Sequence, residues 1–73
     1  MDDNLSIIKH LINEIKHTAF CIERQKNKIE TIKKKFEYEP IYEQKVLNSL
    51  YAKMNKLEYQ LYKQIDILKY DIS

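Results

Sequence analysis

The chain has 73 residues, with 13 Lys and Arg against 11 Asp and Glu, one Cys, one Pro and no Gly. That length makes one small domain. Lack of glycine excludes phosphate-cradling and dinucleotide-binding loops, and a single cysteine excludes an internal disulfide or a thiolate metal centre. No apolar run nears the ~20 residues of a membrane span, and no basic segment followed by an apolar one marks a signal peptide. The expectation is a soluble chain of the reducing cytoplasm.

Helix 1 is predicted over residues 4–36. Ile8, Leu11, Ile15, Thr18, Ile22, Gln25, Ile29, Ile32 and Phe36 alternate at spacings of three and four, which is a heptad a/d stripe. Only Thr18 and Gln25 in it are polar. Asp2, Asp3 and Asn4 are expected to cap the helix start. Leu5, Ile12 and Ala19 lie beside the stripe and widen the apolar face in its first half. Lys33, Lys34 and Lys35 form the one like-charge run. Cations at a helix C-terminus complement the macrodipole, and the interspersed acids elsewhere argue against a nucleic-acid footprint.

The turn is predicted at residues 37–39. Pro40 disfavours helix in the residue before it and suits the first turn of the helix that follows. Helix 2 is expected over residues 40–71, with Glu39 and Glu43 at its positive end. Its stripe is Leu47, Leu50, Met54, Leu57, Leu61, Ile65, Leu68 and Ile72, with a stutter between Leu61 and Ile65. A loop this short folds the helices back antiparallel. Ile29 with Leu47, Ile22 with Met54, Ile15 with Leu61, Leu11 with Ile65 and Ile8 with Leu68 share one constant total of residue numbers, 76. The fold class is therefore all-α, an antiparallel two-helix coiled-coil hairpin about 50 Å long.

At 100° per residue, Phe20, Tyr59 and Tyr70 fall nearly opposite the seams, Ile67 well away from its own, and Tyr51 and Tyr62 on one flank of helix 2. Tyrosine suits interfaces because it buries a large ring and keeps a polar tip, so these positions read as a docking surface. His10, Glu14, His17 and Cys21 recur by four, three and four, and each type can ligate zinc. A tetrahedral site must be enclosed from several directions, and one straight helix does not do that; the stripe reads as a polar outer face. Cys21 has His17 one turn away but no pocket or base orienter, so no catalytic residue is assigned. A slim hairpin has no concavity for a small-molecule substrate. Its acid-interrupted faces do not make a membrane-surface helix.

The chain also resembles the tubulin-binding cofactor A family. Residues Ile8 to Glu14 are similar to the opening of that family's first long helix. Gln25, Lys28, Ile29, Glu30 and Ile32 resemble a segment late in the same helix. Glu39 and Pro40, followed by Ile41, Glu43, Gln44 and Leu47, resemble its turn and the start of its second helix. The likeness covers roughly residues 7–68. The family's paired lysines stand as Tyr42 and Glu43 here, and the chain ends where its third helix would begin. The resemblance implies a reduced three-helix bundle acting as a chaperone of β-tubulin, associated with the cytoskeleton, without enzyme activity, metal or cofactor. By position it points to Tyr42, Glu43 and Gln44 as partner-binding residues, with Phe20, Tyr59 and Tyr70 on the outer faces. A homodimer that replaces the third helix is one arrangement it leaves open. The alternative from a different class is a coiled-coil adaptor or subunit of a larger helical assembly.

Overall fold

A computed structural model of the chain describes the backbone of residues 2–72 and the side chains of residues 4–70. Two helices, α1 (Asp2–Phe36) and α2 (Ile41–Ile72), pack against each other as a hairpin 56 Å long and 14 Å across its Cα atoms. No described helix is long and apolar enough to cross a membrane.

The heptad stripes form the seam. Leu11, Thr18, Ile22 and Ile29 of α1 and Leu47 of α2 are buried. Ile8, Ile15, Gln25 and Ile32 are half-buried, as are Leu50, Met54, Leu57, Leu61, Ile65 and Leu68. Ile22, Ile29 and Leu47 make one cluster, with Leu50 and Met54 packed against it. Burying such a side chain contributes about 1.5–3 kcal/mol. Ile72 at the end of the second stripe lies outside the described side chains, as do Asp2 and Asp3. The helix already begins at Asp2, so Asn4 sits inside the first turn rather than at the cap.

Phe36 is the exception in the first stripe. It is 62% exposed, and the cause is the alignment of the two helices. The Gln25 side-chain amide donates to the Glu43 carbonyl oxygen at 2.9 Å, and Lys53 Nζ lies 4.0 Å from Glu14 Oε2. In the predicted alignment Glu43 would stand opposite residue 33. That is eight residues from Gln25, or about 12 Å of helix axis, farther than a glutamine reaches. Lys53 would be similarly remote from Glu14. Helix α2 is instead displaced toward the N-terminus of α1 by about one turn. Leu47 then shares a cluster with both Ile22 and Ile29, and the end of α1 projects past the start of α2.

The loop produces this offset. Glu37 adopts a left-handed conformation, φ 52°, and its N–H donates to the Lys33 carbonyl at 3.2 Å. This is the αL type of helix ending, in which glycine is the usual residue. The Ile41 N–H then donates to the Glu39 carbonyl at 2.9 Å, closing a three-residue turn about Pro40, whose ring fixes φ near the required value. The Pro40 carbonyl accepts from the Gln44 N–H at 2.9 Å. Pro40 is thus the N-cap of α2 and not its first helical residue, and it is buried. Residues 37–40 carry the chain back along α1 before α2 begins.

Substitutions at two positions check these local costs. Glu37→Gly removes the steric penalty of a Cβ at positive φ, and should raise stability by about 1 kcal/mol, while Glu37→Val lowers it. The Thr18 hydroxyl is buried in the seam with no hydrogen-bond partner, so Thr18→Val should also stabilise, by about 1 kcal/mol. Urea unfolding followed by far-UV circular dichroism measures both.

Candidate functional site: the exposed tip and sides

The overhang of α1 creates a feature that the periodicity did not suggest. Phe36, Tyr38, Ile41 and Tyr42 gather at the closed end of the hairpin, each more than half exposed. The rings of Phe36 and Tyr38 stand 6.1 Å apart at 45°, a tilted contact favoured by the ring quadrupoles. Lys33, Lys34 and Lys35 occupy the last turn of α1 beside them. There they complement the helix dipole as expected, and Glu37 and Glu39 of the turn place negative charge next to them. The signal for the tip was present in the sequence as four large apolar residues within seven positions around a proline, but the a/d pattern assigned Phe36 to the seam.

The other expected site residues do not assemble into one patch. Tyr42 belongs to the tip at 73% exposure. Glu43 is half-buried and turns toward the seam, where its backbone oxygen receives Gln25. The Gln44 side chain donates to Asn48 Oδ1 at 3.2 Å along the surface of α2. Phe20 is exposed on the outer side of α1, and Tyr59 and Tyr70 are exposed on α2. Phe20 carries the Arg24 guanidinium over its ring at 5.8 Å, and Tyr59 carries the Lys63 ammonium at 5.1 Å. Both are cation–π pairs spaced four residues apart on one helix. These pairs were readable from spacing alone.

The two long sides of the hairpin differ. One groove runs between Glu23, Lys26 and Glu30 of α1 and Gln44 of α2. The other lies between Cys21, Arg24 and Lys28 of α1 and Val46 and Leu50 of α2. Cys21 is half-buried there, with its Sγ 3.7 Å from His17 Nε2. Of the polar stripe containing them, His10 and His17 are exposed, whereas Glu14 and Cys21 turn toward α2. Among the described residues no three His, Cys, Asp or Glu side chains are placed to hold a metal ion.

Comparison with protein-family models, with curated proteins and with solved structures gives no match to this chain. The tip carries no packing duty that its exposure reveals. Replacing Tyr38 and Tyr42 together by Ser should therefore shift unfolding free energy by less than about 1 kcal/mol, in the range of surface substitutions. A larger loss in a urea titration would show that these rings brace the turn.

Proposed function

We propose that the chain is a non-enzymatic binding protein that captures a folded partner with its closed tip, and that the partner is β-tubulin. The supporting observation is the joint exposure of Phe36, Tyr38, Ile41 and Tyr42 at the one end where the chain turns. Large apolar side chains gathered at a surface are a recurrent mark of protein interfaces, and aromatic anchors carry much of the energy there. The identity of the client comes from the resemblance to tubulin-binding cofactor A.

The mechanism needs no bond chemistry. A protein that binds the native-like state of a client better than its unfolded state shifts the client's population toward the former by mass action. A stiff hairpin with a preformed tip loses little conformational entropy on binding. Association with the cytoskeleton follows from the client.

The adaptor reading uses the same fold but a different surface, the flank of Leu5, Ile12 and Ala19, and requires a second helical chain. Immobilised hairpin incubated with purified β-tubulin and, separately, α-tubulin distinguishes them. The expected result is retention of β-tubulin and at least a tenfold drop in retention on Tyr38→Ala with Tyr42→Ala. Retention of α-tubulin instead, or of neither, overturns the client assignment.

A further inference from the structure

The two grooves between the helices differ in charge. Glu23, Lys26 and Glu30 line one, two acids to a single cation. Arg24 and Lys28 line the other, and no acid does. The distribution along the chain produces this. Between Ile15 and Phe36 the acids are Glu23 and Glu30, and both belong to the first groove. Between Ile41 and Leu57 the one acid is Glu43, which is half-buried and lines neither groove. Glu14, farther along the side of Cys21, has Lys53 at 4.0 Å. Lys35 follows Lys28 by seven residues, but Glu37 and Glu39 stand next to it in the turn. The uncompensated stretch is therefore Arg24 and Lys28.

The walls of this groove match in spacing. Arg24 and Lys28 are four residues apart on α1, and Val46 and Leu50 are four apart on α2, so each pair spans about 6 Å of helix axis. Arg24 sits over the Phe20 ring at 5.8 Å, a contact that restrains its long side chain before a partner arrives. Val46 and Leu50 are half-buried and present aliphatic surface. One wall suits carboxylates and the other suits apolar side chains. An extended peptide meets both, because successive side chains point to opposite sides and alternate ones repeat at about 6.7 Å. From Cys21 to Thr31 the groove runs about 15 Å along α1, the length of about five extended residues.

We infer that this groove binds an acidic peptide segment of a partner protein, extended, with acidic and apolar residues in alternation. Its carboxylates pair with Arg24 and Lys28 through charge-assisted hydrogen bonds, and its apolar side chains lie on Val46 and Leu50. The other groove repels the same segment through Glu23 and Glu30. A nucleic-acid strand fits less well, since two cations match few phosphates and no aromatic ring lines the groove for a base to stack on. Arg24 is twelve residues from Phe36, or about 18 Å along α1, so the groove is separate from the tip and from the tip's client.

Fluorescence anisotropy of a labelled pentapeptide of alternating glutamate and leucine, titrated with the full chain, tests this. Saturable binding is expected, weakened by about tenfold or more by Arg24→Glu with Lys28→Glu. Lys26→Glu with Lys45→Glu should change it by less than about twofold, since those charges are screened from the groove. The two double variants alter net charge equally, and all four positions are exposed, so both should fold, as far-UV circular dichroism checks. A second measurement needs no variant. The same peptide with serine in place of leucine keeps its charge and loses its apolar contacts, and should bind roughly fivefold more weakly. No saturable binding, an equal loss in both double variants, equal binding of the serine peptide, or displacement of the peptide by an equal concentration of single-stranded oligothymidine overturns the inference.

Discussion

Two helices side by side can shield from water only the one stripe that each turns toward the other, and the rest of this molecule follows from that limit. The seam takes in Leu11, Thr18, Ile22, Ile29 and Leu47 and half-covers the other described a/d positions apart from Phe36. Every large apolar side chain off the stripe is then left at the surface, because no third layer exists to receive it. A bundle of three or four helices buries more than one face of each helix. Here the remaining faces become surface, and the surface acquires properties that a better-enclosed fold of the same composition would lack.

Within the seam, the two polar residues have different consequences. Thr18 is the most deeply buried side chain, 1% exposed, yet its hydroxyl has no partner. Gln25 is half-buried and spends its amide on the backbone of Glu43. Apolar stripes that repeat every seven residues match one another at several offsets, since a slide of a turn or two again sets aliphatic against aliphatic. A directional bond between one side chain and one carbonyl does not repeat. Gln25 therefore supplies the discrimination between offsets that Ile and Leu cannot, in the way that single polar residues fix alignment in longer coiled coils. The Glu14–Lys53 pair is exposed and sits near the distance limit for an ion pair. It agrees with that alignment but contributes little to it.

The same distinction explains what could be read in the amino-acid sequence. Which residues face the seam was legible, because helical periodicity dictates it, and from Ile8 to Ile32 and Leu47 to Leu68 the structure agrees. The offset was not legible. It depends on the path of four loop residues, and a chain without glycine gives no compositional sign that Glu37 will take up a left-handed conformation. Phe36 shows the consequence: its spacing fits the stripe, but the helix that should cover it starts too far back. Exposure of Phe20, Tyr59 and Tyr70 was legible from angle alone. The gathering of Phe36, Tyr38, Ile41 and Tyr42 at the tip was not, because it follows from the offset and from no periodic pattern.

The offset also separates the two surfaces. Ala19, at the inner end of the apolar side, stands seventeen residues from Phe36, or about 25 Å along α1. The closed tip and the side of Leu5 and Ile12 are therefore separate surfaces on one stiff rod, and a group seated on either leaves the other exposed.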